Sequence, residues 1–255
     1  MTMAAAWLRR LLGDRLEVAV WRIGVVVALV FALRVVLRLN WASVAPSWLF
    51  LLEALGRSWL LAIVSILVGA VAALPLALAR VYGPRGIRHA AILLIEAVRA
   101  TPELMIIFWV YFTSPVVLGN EISNWNAALA SLAVIAAAFL AEVIRAGLYS
   151  VPAGQVLAGA ATGMRPVQTF RYIVLPQALR NMLPALVAQL VALFKTTSLV
   201  YAIGVMEFFR AISVTNSAVF APYELYLIMA VGYFVSCFTI TRLVYYFDPK
   251  YQLLE

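Results

Sequence analysis

The chain has one cysteine, Cys237, and one histidine, His89, in 255 residues. A lone thiol inside an apolar run excludes a disulfide framework and a thiolate metal site. A lone imidazole excludes a multi-histidine metal centre. Lysine is almost as scarce, with only Lys195 and Lys250. Neither follows a glycine, so no Gly-rich turn ending in Gly-Lys-Ser/Thr is present to wrap a nucleotide phosphate. Only 12% of residues are charged, against about 25% in soluble domains. The Pro-, Gly- and Ser-rich linkers that separate soluble domains are missing, and no internal repeat is visible. The first long apolar stretch has no small-residue cleavage site and leads into more apolar sequence, so it is expected to serve as its own uncleaved signal.

What the chain does have is apolar sequence: 65% of it, with a mean hydropathy of +1.00. That composition describes an all-α, polytopic transmembrane helical bundle. Six stretches reach the length of about 20 residues that a bilayer core requires, near 18–37, 59–79, 91–112, 127–145, 183–205 and 224–246. Arg22 and Arg34 interrupt the first, for which an interfacial helix is the alternative. With the N-terminus inside, the inner segments hold Arg9, Arg10, Arg15, Arg22, Arg80, Arg85, Arg88, Arg145, Arg165, Arg171, Arg180, Arg242 and Lys250. The outer segments hold only Arg38, Arg57 and Arg210. Cytoplasmic loops collect basic residues, so six spans with both termini cytoplasmic are expected. The net charge of +8 is then a topology signal, and nucleic acid is discounted as a partner. Ser47 to Trp59, apolar on one side with Glu53 and Arg57 on the other, reads as an amphipathic helix on the outer surface leading into the second span.

Between the fourth and fifth expected spans lies LAGAATGMRPVQTFRYIVLPQALR, residues 157–180. Pro152 can start a short helix over about 151–162, and Gly163 can end it in the left-handed conformation. Pro166 suits the first turn of a second helix whose Phe170, Ile173 and Val174 make an i, i+3, i+4 apolar face. Pro176 is expected to stop or kink that helix. Ala158, Gly159, Ala160 and Ala161 leave the first helix nearly without side chains, so its backbone could approach another surface closely. A surface-lying connector that merely tolerates small residues is the other reading.

Ala158, Gly163, Ile173, Leu175 and Pro176 stand at the spacings of the pattern Glu-Ala-Ala, three residues, Gly, nine residues, Ile, one residue, Leu-Pro. The loop therefore resembles the cytoplasmic coupling loop of permease subunits of binding-protein-dependent ABC importers. VPAGQ (151–155), GMRPVQTFRYIVLPQALR (163–180), LPALVAQLVALFKTTSLVYAIGVMEF (183–208) and EAVRATPELMIIFWVYF (96–112) are similar to the polar amino-acid branch of that family, which serves histidine, glutamine and glutamate-aspartate. Two positions depart from the pattern: Leu157 replaces its acid and Gly159 its second alanine.

The resemblance implies a five-span permease core, residues 47–255 with a coupling loop of about 150–182, preceded by one extra span in residues 1–46. It implies a multi-pass subunit of the bacterial inner membrane that is not itself an enzyme. Its partners would be a second permease subunit, identical or related, a cytoplasmic ATPase dimer that holds the ATP and Mg²⁺, and a periplasmic substrate-binding protein. No cofactor is expected in this chain. Leu157, Ala158, Gly159, Gly163, Met164, Arg165, Pro166, Phe170, Ile173, Leu175 and Pro176 would couple it to the ATPase.

Ionisable residues at membrane depth are costly and mark function or paired structure. Glu96, Arg99 and Glu103 are spaced i, i+3 and i+4, and the Ala100-Thr101-Pro102 break falls among them. A broken helix presents backbone groups that can hold a zwitterion; a self-neutralised structural triad is the alternative. Lys195, expected near the centre of the fifth span, precedes Thr196, Thr197 and Ser198, and Glu142, another helix or the substrate could supply its counter-ion. A lysine that locks two helices together is equally open. Glu142 and Arg145 read as a helix-end pair. The candidate substrate path is thus Arg99, Thr101, Pro102, Glu103, Lys195, Thr196, Thr197 and Ser198. KTTSLVYAIGVMEFFRA (195–211) looks most like permeases for glutamate and aspartate, with other polar amino acids next. An ion-coupled secondary carrier relaying through Glu96, Glu103 and Lys195 is the competing class, and a membrane-embedded enzyme ranks behind it.

Overall fold

A computed structural model describes residues 18–27, 30, 33–34 and 36–246 of the chain. Of the expected first span, α1 (Val18–Val27) and residues 30, 33–34 and 36–38 are helical, and residues 18–27 are exposed. The rest of that span lies outside the described residues, as do Arg9, Arg10, Arg15 and Lys250. After two 3₁₀ turns, Trp41–Ser43 and Ala45–Ser47, come α2 (Trp48–Tyr82), α3 (Arg85–Ala100), α4 (Glu103–Leu118) and α5 (Asn124–Tyr149). Then follow α6 (Ala153–Ala161), α7 (Pro166–Thr169), a π turn (Phe170–Val174), α8 (Leu175–Thr196), a 3₁₀ segment (Thr197–Ile203), α9 (Phe208–Val219) and α10 (Pro222–Tyr246). Among the described residues, four helical stretches are long and apolar enough to cross a membrane: Ala45–Tyr82, Asn124–Tyr149, Pro166–Ile203 and Pro222–Leu243.

The central pair is α2 and α5. Along α2 the buried positions Ala54, Ser58, Ala62, Ser65, Gly69, Ala73 and Ala77 recur at three- and four-residue steps, so one face carries almost no side-chain bulk. Small residues let membrane helices approach until backbones touch. A Cβ built on Gly69 would stand 2.5 Å from the Ala136 Cβ and 2.9 Å from the Ala133 carbonyl oxygen. The side chains of Leu61, Leu132, Ile135 and Leu140 close the core around this seam.

The surface helix expected over 47–59 is not separate, because α2 runs unbroken from Trp48 to Tyr82. Its 35 residues span about 52 Å, well beyond the ~30 Å hydrocarbon core. The 47–59 segment stays in line because Leu51, Ala54 and Ser58 are already buried against α9 and α10. The expected third span divides into α3 and α4, since Thr101 (ψ 135°) and Pro102 (ψ 132°) are both extended. Proline supplies no N–H and disfavours helical geometry in the residue before it. Pro176, by contrast, does not stop its helix. The π turn over Phe170–Val174 precedes it and Pro176 occupies the first turn of α8, where a missing N–H costs nothing, so the helix continues from Pro166 to Thr196.

At the end opposite the arginine-rich loops, Glu207 is fully buried. Its carboxylate caps α9, accepting from the backbone N–H groups of Phe209 (2.8 Å) and Arg210 (2.8 Å). Ser58 of α2 donates its hydroxyl to Glu207 and accepts from the Phe208 N–H at 3.0 Å, which ties α9 to the central helix. Burial pushes the Glu207 carboxyl up to about 7, against the pull of those donors towards the charged form.

Two outcomes follow. Gly69→Val inserts bulk into a backbone contact and should cost up to about 3 kcal/mol, read as a lower melting temperature of the detergent-solubilised protein. A carboxyl whose folded value is raised favours the protonated folded state. The stability held below pH ~4.5 should therefore fall as pH rises to about 7 and level off above it, by about 3 kcal/mol. Melting curves of wild type and Glu207→Gln over that window check this; a wild-type slope that survives in Glu207→Gln would contradict it.

Candidate functional site

The break between α3 and α4 leaves Thr101 and Pro102 exposed, with the Thr101 hydroxyl donating back to the Ala97 carbonyl at 2.7 Å. Glu103 opens α4, where a carboxylate favours the positive end of the helix dipole. It does not pair with Arg99 as the i, i+4 spacing suggests, because the extended residues between them interrupt the helical register. Glu103 instead accepts from Thr196 Oγ1 of α8 at 2.7 Å, a link across 93 residues. Two parts of the expected path, the broken helix and the polar run after Lys195, are thereby joined.

Lys195 lies in the last turn of α8, where the helix gives way to a 3₁₀ segment at Thr197, inside the apolar stretch Pro166–Ile203. Its side chain is exposed, and among the described residues it makes no ion pair. The hydroxyls beside it satisfy the closing carbonyls of the helix: Thr197 donates to Phe194 O at 2.7 Å and Ser198 to Lys195 O at 2.8 Å. Thr197 is fully buried, so it acts as framework, while Thr101, Pro102 and Lys195 face outward and Glu103 and Ser198 are half-buried.

Glu142, considered as a counter-ion for Lys195, belongs elsewhere. It pairs with Arg145 (Nε, 3.1 Å) and with Arg80 at 3.0 Å, and Arg99 approaches it at 3.9 Å. Glu96 pairs with Arg80 at 3.1 Å and Arg99 at 3.3 Å. Three arginines and two glutamates from α2, α3 and α5 thus form one cluster, and the Arg99 guanidinium also stands 5.7 Å from the Phe139 ring centroid. Sequence spacing found the Glu96–Arg99 and Glu142–Arg145 pairs. It missed Arg80, which bridges them from another helix and which only the α2–α5 contact brings near.

The arginine-rich loop forms the second candidate surface. Helix α6 ends at Gly163 with φ 78°, and its terminal bonds run from Met164 N to Gly159 O and from Gly163 N to Ala160 O, a Schellman cap. Arg165 precedes α7, and its backbone N–H donates to Gln168 Oε1 at 2.8 Å. The apolar face expected from Phe170, Ile173 and Val174 packs inward, with Phe170 and Val174 against Leu148, Val151, Ala178 and Met182. Leu175 is half-buried and Pro176 exposed. Gly159 does not face outward: a Cβ there would meet Thr169 Cγ2 at 2.7 Å, so α6 is closed onto α7 through it. Leu157, Ala158, Ala160, Ala161 and Met164 are exposed.

Residues 65–253 match the family described as the binding-protein-dependent transport system inner membrane component. The glutamate/aspartate import permease protein GltK of Escherichia coli is 30% identical over 218 residues, covering 83% of this chain and 97% of that protein. The glutamine transport system permease protein GlnP of Escherichia coli is 28% identical over 219 residues, covering 86% and 100%. A crystal structure of an amino acid ABC transporter with histidines superposes with a TM-score of 0.77 at 28% identity, over 83% of this chain and 99% of that one. This multi-pass inner-membrane chain belongs to the binding-protein-dependent transport system inner membrane component family, as an ABC importer permease of the polar amino-acid kind.

Proposed function

We propose that the chain imports acidic amino acids, glutamate and aspartate first, as one of two permease subunits driven by a separate ATPase dimer. The observation that carries the reading is the exposed cation Lys195, one residue from the Thr196–Glu103 link and beside a broken helix. An irregular backbone and a charge at membrane depth are tolerated only where protein or a water-filled cavity covers them. A second permease across this face supplies the cover, and the cleft between the two is the path. Broken-helix backbone groups hold the α-amino and α-carboxyl groups, and Lys195 meets the side-chain carboxylate. The similarity to a glutamate/aspartate permease supports that choice. The similarities to a glutamine permease and to a transporter crystallised with histidines support a second reading, in which the same path takes other polar amino acids.

In this reading the arginine-rich loop faces the cytoplasm with both termini, and a periplasmic binding protein delivers substrate at the opposite end. ATP and Mg²⁺ reside in the ATPase. Its closure moves α6 and α7 as a unit, because the Gly163 cap and the Gly159–Thr169 contact hold them together. A secondary carrier is less well served: Glu96 is committed to Arg80 and Arg99, Glu103 to Thr196, and Lys195 to neither.

Uptake of labelled glutamate into proteoliposomes holding this chain with its ATPase and binding protein should require ATP. Aspartate should compete better than glutamine, histidine or arginine. ATP-independent uptake driven by an ion gradient would end the importer proposal; uptake indifferent to aspartate would end the acidic-substrate one. Gly163→Pro cannot hold φ 78°. It should lower ATP-driven uptake by about tenfold or more while membrane insertion, measured by immunoblot, stays normal; the figure is an order-of-magnitude expectation for a misplaced coupling contact.

A further inference from the structure

Residues 150–182 contain three arginines, Arg165, Arg171 and Arg180, and no aspartate or glutamate. All three are exposed. On the same loop Leu157 is 69% exposed and Val167 75%, one on each of the two short helices that flank the Gly163 turn. Neither is stranded by a loose fold. Gly159 and Thr169 lock α6 to α7, and Val151, Val174 and Ala178 are buried beneath them, so the loop presents its apolar side chains from a fixed frame. Exposed apolar side chains on a loop whose charges are all of one sign specify their partner: an apolar floor to remove Leu157 and Val167 from water, and acidic groups for the arginines.

We propose that the coupling loop is matched to an ATPase whose docking cleft is apolar where it meets Leu157 and acidic at its edge, and that Leu157 is the residue that selects it. The proposal rests on the importer reading above. A carboxylate at position 157 would demand a basic counterpart in the cleft, whereas leucine there demands a surface without charge, since an unpaired charge on either side would be desolvated without compensation. An anionic membrane surface is the weaker match. Helices that lie on membranes carry basic residues on their polar face, and α6, the sequence AGQVLAGAA, carries no charge on any face.

The test measures association of the importer's ATPase subunit with this chain in nanodiscs, at about 50 mM and about 500 mM salt, with and without phosphatidylglycerol. Wild-type association should weaken as salt rises and should not depend on phosphatidylglycerol. Leu157→Glu should weaken association by about tenfold or more, and Leu157→Met should change it little. Arg165→Glu with Arg171→Glu should weaken association and flatten its salt dependence. Because these side chains are exposed, melting temperatures should match wild type, which separates docking from folding. Tighter or unchanged association of Leu157→Glu would overturn the apolar floor. A salt-independent wild type would overturn the acidic rim, and effects that vanish without phosphatidylglycerol would assign the surface to lipid. Failure of the wild-type chain to associate with the ATPase at all would overturn the importer reading itself.

Discussion

The rest of the structure hangs on the contact between α2 and α5. Inside a bilayer there is no water to drive helices together, so association depends on how closely backbones can approach and on the polar groups they then share. A row of Ala, Ser and Gly on α2 permits that approach, and the two helices become a single rail. Each end of the rail then holds something. At one end the proximity of α2 to α5 brings Arg80 to Glu142 and gathers α3 through Glu96 and Arg99. At the other, Ser58 reaches Glu207 and fixes the start of α9. The Arg80–Glu142 pair depends on how closely α2 approaches α5, and the Ser58–Glu207 link on the face of α2 that packs on α9.

This ordering explains which features could be read from the sequence. The turn at Gly163 and the break at Thr101–Pro102 were legible because their causes are local: a left-handed glycine after a short helix, and a proline that cannot donate. The straight course of α2 was not, because the polar Glu53 and Arg57 suggested an interfacial helix while burial of Leu51 and Ala54 against α9 and α10 decided the matter. Pro176 does not stop its helix, because it falls in the first turn of α8 directly after the π turn over Phe170–Val174, a continuation that no local rule for proline signals. Arg80 and Glu207 carried no pairing signal at all, since their partners are distant in sequence. The period-four run of small residues on α2 was present throughout and is the one pattern from which the central packing could have been derived.

The charges sort by whether this chain satisfies them. Glu96 and Glu142 are each shared by two or more of Arg80, Arg99 and Arg145, which leaves the cluster one positive charge in excess and makes it a brace among three helices. Lys195 has no such partner among the described residues. Under the proposed import reading, this exposed cation beside an interrupted helix is completed by the substrate or by the second permease. In the proposed reading, an identical pair that brought its two lysines together across the cleft would need an anion between them and so would favour an acidic substrate, while a related subunit lacking the lysine would relax that demand.

The arginine-rich loop departs twice from the pattern of the permeases it resembles, and burial separates the two departures. Position 159 is closed in: Thr169 leaves no space for an alanine methyl, so glycine there answers to the loop's own packing. Position 157 is open, and no contact within this chain distinguishes leucine from glutamate. A replacement that the interior does not explain is answered by whatever the surface touches. The same short stretch, Leu157 to Ala160, thus carries one change that the packing of α6 on α7 explains and another, at Leu157, that the proposed docking surface accounts for.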